Sequence, residues 1–143
     1  MIQEIIDGIC LAVDEEFNGL EQSYEIHTES LEQGFDGPCF FVLCIGQESE
    51  AQLAQRYRRA HSFGIHYFPD SEEPRAECLK VAERLFGCLE LIRAGDSLIR
   101  GTDMESRIEE KVLIFTVDFN VFLCKPGQQV EMENVTVDTE VEG

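Results

Sequence analysis

The first 55 residues of the chain contain no lysine or arginine, although they contain twelve aspartates and glutamates. The whole chain of 143 residues has 11 basic and 29 acidic residues, which gives a formal net charge of -18. Proteins that bind nucleic acid through their general surface need a basic face, and an anionic membrane repels an acidic one. The charge balance therefore argues against binding duplex DNA or a membrane through bulk electrostatics.

The sequence also lacks the spacings that usually carry catalysis, metal binding or phosphate binding. It has no HExxH or EF-hand pattern, no GxGxxG or Walker loop, and no nucleophile elbow. Its histidines are His27, His61 and His66; the last two lie five residues apart on a predicted strand and should point to opposite faces. We therefore predict no catalytic residue, no metal site and no cofactor, and a site assembled by folding from distant carboxylates is left open.

The cysteines form no CxxC pair, and most lie in apolar runs, where free cysteine packs as a small hydrophobic residue. The six are Cys10, Cys39, Cys44, Cys78, Cys88 and Cys124. The N-terminal residues lack the basic stretch of a signal peptide, and no apolar run is long enough to cross a membrane. These features predict a cytosolic protein with reduced thiols and no membrane partner.

Apolar residues nevertheless make up 43% of the chain, which predicts a folded core. Apolar side chains recur at helical spacing from Ile2 to Phe17 and again from Ala76 to Ile92, which predicts two amphipathic helices. Strands are predicted at residues 23–29, 39–45, 56–68, 97–109 and 112–123, with a polar loop at 47–55. The last strand has one wholly apolar face, formed by Leu113, Phe115, Val117, Phe119, Val121 and Leu123.

The predicted order is α-β-β-β-α-β-β, an α+β fold with two helices packed on a largely antiparallel sheet. Residues 1–125 are predicted to form this single domain. Residues 126–143 are predicted to be an acidic C-terminal tail that is either flexible or an assembly arm. Alternating Val135, Val137, Thr139 and Val141 would suit an arm that adds a strand to a partner.

The first positive charges of the chain come together as Arg56, Arg58 and Arg59, at the start of a predicted strand. Arg58 and Arg59 alternate, so the cluster presents guanidinium groups on both sides of that strand. One interpretation is that the charges deter edge pairing. The other is a contact with a neighbouring subunit, since arginine is favoured in ion pairs at interfaces. The predicted acidic partners, which lie together on the first helix, are Asp14, Glu15 and Glu16.

Five segments follow one another from residue 1 to residue 125: MIQEIIDGICLAVDEEF, YEIHTESLEQGFDGPCFFV, RYRRAHSFGIHYFP, AERLFGCLELI and LIRGTDMESRIEEKVLIFTVDFNVFL. Their order resembles the phage tail terminator family, in the version found in phages and prophages of Gram-positive bacteria. The resemblance implies a small α+β unit, similar to the terminator of lambda-type tails. It also implies a structural role as a ring, generally a hexamer, that caps the head-proximal end of the tail tube and ends its polymerisation.

The same resemblance implies a set of partners and a location. The partners are further copies of the chain, the tail tube protein, and a head completion or connector protein, with DNA passing through the lumen without specific binding. The location is the virion tail, after assembly in the bacterial cytoplasm. Two other classes stay open: a monomeric adaptor or regulatory module with one apolar groove, and a small hydrolase-type enzyme with a polar pocket that contains a histidine.

Overall fold

The computed structural model describes residues 2–19, 23–28 and 38–124. Its helices are α1 (Ile2–Phe17) and α2 (Pro74–Cys88). Its strands are β1 (Glu25–His27), β2 (Cys39–Ala51), β3 (Arg56–Phe68), β4 (Leu91–Ala94), β5 (Ser97–Glu109) and β6 (Val112–Cys124). None of the helices in these ranges is long and apolar enough to span a membrane.

Both helices form because an apolar stripe repeats along one side. Ile5, Ile9 and Val13 are spaced four residues apart and are buried. Between them, Gly8 lets α1 approach β4 closely, because a Cβ atom there would lie 2.3 Å from the carbonyl oxygen of Arg93. Helix α2 begins at Pro74, whose fixed φ suits a first helical position.

The strands form one sheet in the order β1-β2-β3-β6-β5-β4. Strand β1 pairs with β2 in parallel, and the other neighbouring pairs are antiparallel. We call the side that faces the helices the inner face, and the opposite side the outer face. The inner face contributes to the core the buried side chains of Phe40, Val42, Phe63, Ile65, Tyr67, Leu113, Phe115, Val117 and Phe119.

The α+β class, the two helices and the largely antiparallel sheet are confirmed, but the predicted order of elements was wrong. The sheet is mixed, because β1 is parallel to β2. Helix α2 ends at Cys88, and Leu91–Ala94 forms a separate strand, so the order is α-β-β-β-α-β-β-β. Leu85, Leu89 and Ile92 are all buried at helix-like spacing, although they belong to a helix, its cap and a strand. Because of this spacing, the predicted helix continued to Ile92, four residues beyond the end of α2.

The prediction of a loop from residue 47 was wrong as well. Residues 47–51 continue β2, paired from Gln47 opposite His61 to Ala51 opposite Tyr57. They are polar because the strand has left the core, not because the pairing has ended. The apolar face of β6 is confirmed from Leu113 to Phe119, whereas Val121 is only half-buried. The predicted tail at 126–143 lies outside the described residues.

Candidate assembly surface at the end of the sheet

Strands β2 and β3 extend past the core as a hairpin, which we call the arm and define as residues 45–59. A β-bulge between Cys44 and Gly46 marks where β2 leaves the core, and bulges bend a strand locally. Beyond it, residues 46–51 pair with β3, while β1 pairs with β2 only at residues 39–41. Within the described part of the chain, the other edge of β2 is therefore unpaired along the arm.

The tip of the arm is a strained turn with an apolar side chain exposed. Ala54 and Gln55 have φ angles of 59° and 61°, in a left-handed region that costs a residue with a side chain about 1 kcal/mol or more. Leu53, just before them, is 89% exposed. The turn thus holds a leucine in solvent at the far end of the hairpin.

The three arginines of the predicted cluster lie on the arm but do different things. On the outer face, Arg58 Nε donates to Glu50 Oε1 at 3.1 Å, and Arg58 Nη1 donates to Asn120 Oδ1 at 3.2 Å. Arg58 is therefore engaged inside its own subunit. Arg56 and Arg59 are exposed, and neither forms an ion pair with any described residue.

The predicted acidic partners are divided in the same way. Arg84 Nε donates to Glu16 Oε2 at 2.9 Å, while the Arg84 guanidinium lies 4.2 Å from the centre of the Phe17 ring. Glu16 is therefore paired within its own chain. Asp14 accepts a hydrogen bond from Asn18 and forms no ion pair with a described residue. Glu15 is exposed. No ion pair among the described residues joins these acids to the arm.

Sequence reasoning missed a second basic surface, on the outer face of the β4–β5 hairpin. Leu91 lies opposite Arg100, and Arg93 lies opposite Leu98, so all four side chains share one face. All four are exposed. The signal was present, because these residues alternate with buried Ile92, Ala94 and Ile99, but assigning residues up to 92 to a helix concealed it. We call Leu91, Arg93, Leu98 and Arg100 the leucine–arginine patch.

The patch and the start of the arm lie at the same end of the sheet. Gly101 pairs with Phe119, which pairs with His61. Because these pairs are antiparallel, three segments extend from this row toward the same end of the sheet. They are residues 97–100 of β5, the end of β6 and the start of β3. Phe122, which is 58% exposed on the outer face of β6, lies in this region too. This end of the sheet therefore combines exposed apolar side chains with the cations Arg56, Arg93 and Arg100.

His61 lies on the inner face at the root of the arm. Its side chain is buried, and neither ring nitrogen has a hydrogen-bond partner among the described protein atoms. Burial, with a smaller contribution from Arg59, lowers the pKa of His61 below its usual value. The prediction that His61 and His66 lie on opposite faces is confirmed by their burial and pairing. No three His, Cys, Asp or Glu residues in the described ranges are grouped to hold a metal.

The opposite end of β3 borders an acidic cleft of about 660 Å³. Tyr67 Oη donates to the Glu77 carboxylate, which also accepts from the backbone N–H of Ser71 at 2.9 Å. Burial pushes the pKa of Glu77 upward, but the hydrogen bonds from Ser71, Tyr67 and Asp70 outweigh it and leave the pKa lowered. The cleft is lined by Tyr24, Pro38, Asp70, Ser71, Glu72, Glu73, Ala76, Glu77 and Lys80. It contains none of the histidines that a hydrolase-type site requires.

Comparison with known proteins identifies a family and a related solved structure. The sequence matches the family described as phage tail terminator protein over residues 4–131. No curated protein matches the chain. Among solved structures, the chain is similar to the sheath/tube terminator of PVC, an extracellular contractile injection system, in its extended state. The TM-score is 0.45 and the identity 14%, and the match covers 95% of this chain and 66% of that one, slightly less than two thirds.

Proposed function

Because the chain belongs to the phage tail terminator family, we propose that it caps the head-proximal end of a tail tube as a ring of six identical subunits. The match to the family over most of the chain is the observation that carries this function, and it confirms the resemblance drawn from the five sequence segments. The chain is a structural component of the tail, and it ends the polymerisation of the tail tube. In the proposed ring it also forms part of the surface that joins the head.

The proposed partners are the tail tube protein on one side of the ring and a head completion or connector protein on the other. DNA passes through the lumen without specific binding. The net charge of -18 supports this passage, because a surface of that sign repels phosphate groups. We place the protein in the virion tail after assembly in the bacterial cytoplasm.

The arm supports a contact between neighbouring subunits. Arg56 and Arg59 have no ion pair within the described residues, whereas Arg58 and Glu16 hold their own subunit together. We propose that the first two meet Asp14 and Glu15 of the next subunit. Such a contact joins two different surfaces, so it closes a ring by repetition without two-fold symmetry.

Electron microscopy of tails assembled with and without this protein tests the function. Without it, we expect tubes of uncontrolled length, and adding the purified protein should restore a uniform length with a ring at one end. Tubes of normal length in its absence would reject the function. A protein that stays monomeric in the presence of completed tubes would favour the adaptor interpretation.

Replacing Arg56→Glu together with Arg59→Glu tests the proposed ring contact. We expect the variant to fold, because both side chains are exposed, but to form no rings and to leave tubes of uncontrolled length. Loss of an ion pair that is buried in the ring should cost about 2–5 kcal/mol of association, whereas loss of a pair at its rim should mainly change the association rate and its salt dependence. The matched control, Arg75→Glu with Arg107→Glu, changes the charge equally elsewhere and should assemble normally. Normal rings from the arm variant would remove these arginines from the contact.

A further inference from the structure

The leucine–arginine patch is an outer face on which no described residue packs. Leu91 is 48% exposed and Leu98 is 58% exposed, which places two large apolar side chains in solvent beside two cations. Neither Arg93 nor Arg100 forms an ion pair with a described residue. The surface suits an apolar residue surrounded by negative charge, because burying a leucine removes apolar area from water and the arginines attract acids.

Helix α1 carries such a surface on its solvent side. Leu11 is 48% exposed there, although the side facing the sheet is fully buried. Helical spacing groups it with four exposed acids, which lie three, four or seven residues from it: Glu4, Asp7, Asp14 and Glu15. We call Leu11 and these acids the acidic stripe. No Lys or Arg among the described residues forms an ion pair with any of them.

Within one subunit, the stripe and the patch belong to different faces of the molecule. Helix α1 packs on the inner face of β4. Gly8 lies so close to the carbonyl oxygen of Arg93 that no side chain fits at this position. The patch lies on the outer face of the same strand. Asp7, Leu11 and Asp14 lie on the exposed side of the helix, whereas the carboxylate of Glu4 reaches the turn between β4 and β5 at Gly95. No ion pair among the described residues joins the two complementary surfaces within one subunit, which leaves both available to a second copy.

We infer that the leucine–arginine patch binds helix α1 of a second copy of this chain through the acidic stripe. Leu11 packs between Leu91 and Leu98, and the acids pair with Arg93 and Arg100. The contact is heterologous, so each copy uses its stripe for one neighbour and its patch for the other. The inference rests on the proposed function in that the ring is the assembly it builds, and it names the surfaces that assembly uses.

The dimensions allow the same helix to reach the arm. From Glu4 to Glu15, α1 rises by about 16 Å. The four neighbouring strands β3, β6, β5 and β4 span about 14 Å, and Arg56 lies at their shared end. A helix laid across these strands with its C-terminal end toward β3 brings Asp14 and Glu15 toward Arg56 of the same neighbour. The patch supplies the apolar centre that the arm arginines lack.

A reciprocal charge exchange tests the contact. One variant carries Arg93→Glu with Arg100→Glu, and the other carries Asp7→Lys with Glu15→Lys. Each variant alone places like charges against each other, so its self-association should be at least about tenfold weaker than that of the unmodified protein. An equimolar mixture should regain association, because the acidic patch of one variant meets the basic helix of the other. Sedimentation velocity at low salt, with and without tail tubes, measures both effects.

The controls separate this contact from the function it serves. The double variant Arg75→Glu with Arg107→Glu should associate normally, and circular dichroism should show that all variants are folded. If the patch variant associates as the unmodified protein does, or the mixture gains nothing, the contact is wrong even where tubes are still capped. If the mixture associates but the unmodified protein fails to limit tube length, the contact holds and the proposed function is wrong. If the unmodified protein never associates, with or without tubes, both are rejected.

Discussion

The two halves of strand β3 pair with the same strand, β6, but they differ in how deeply their side chains are buried. Its register with β6 is continuous from Arg56 to Tyr67. Phe63, Ile65 and Tyr67 are fully buried under the helices, whereas the side chains from Arg56 to Arg59 are exposed or half-buried. The comparison shows that hydrogen-bonded pairing carries a sheet beyond its core. The core half supplies stability, and the arm half is left to make contacts.

The two ends of the strand also differ in charge. The arm end brings together Arg56, Arg58 and Arg59, with Arg93 and Arg100 close by in the sheet. The other end leads into the acidic cleft around Glu77. Two ends that differ in this way are suited to contacts between unlike surfaces, such as those a ring repeats.

The largest expected effect compares two phenylalanines on β6. Phe119→Ala should lower the free energy of unfolding by about 3–5 kcal/mol, because this fully buried ring leaves a cavity beside Phe63. Phe122→Ala, three residues along on the outer face, should cost less than about 1 kcal/mol. Urea unfolding of both variants measures the difference. Equal losses would show that the arm end contributes to stability as the core does.

A smaller effect is expected from His61, at the boundary between the two halves. His61→Phe should raise the free energy of unfolding by about 1–3 kcal/mol, because it removes a buried polar ring that has no hydrogen bond to any described residue.

Burial lowers the pKa of His61 in the folded state, so the unfolded chain takes up the proton more readily. Above pH about 6.5 neither state binds this proton, and as the pH falls below that value proton uptake by the unfolded chain destabilises the folded state. The gain from His61→Phe should therefore grow between pH 7.5 and pH 5.5. A variant that keeps the pH dependence of the unmodified protein would assign that dependence to other groups.

The smallest expected effect is at Arg58, which links β2 to β6 across the outer face of the arm. Arg58→Ala should lower the global free energy of unfolding by only about 0.2–1 kcal/mol, because its pairs with Glu48 and Glu50 are near the surface. Hydrogen exchange of the amides at residues 46–51 should accelerate more clearly than exchange in the core. Arg58→Lys keeps the charge and should be intermediate. An unfolding loss as large as that of Phe119→Ala would contradict the division into two halves.

The amount that the sequence predicted varies with the element. The buried spacing Ile5, Ile9, Val13 predicted α1, and an alternating apolar face predicted β6 and β3 with its ends at Arg56 and Phe68. The polar arm of β2 was missed because its strand pairing has no apolar pattern to reveal it. Strand β4 was missed because Leu85, Leu89 and Ile92 mimic one helix. The leucine–arginine patch was missed for the same reason, because two of its residues belong to β4.

The sequence by itself determined the acidic charge, the apolar faces that became the core, and membership of the family, because these depend on which residues occur and in what order. Only the tertiary structure decided which charges are engaged and which are free. Arg84 reaches Glu16 across 68 positions, and Arg58 reaches Asn120 across 62. Such pairs depend on strand register and helix packing, which bring together residues far apart in the chain. For the same reason, only the fold could place the acidic stripe and the leucine–arginine patch on different faces of one subunit.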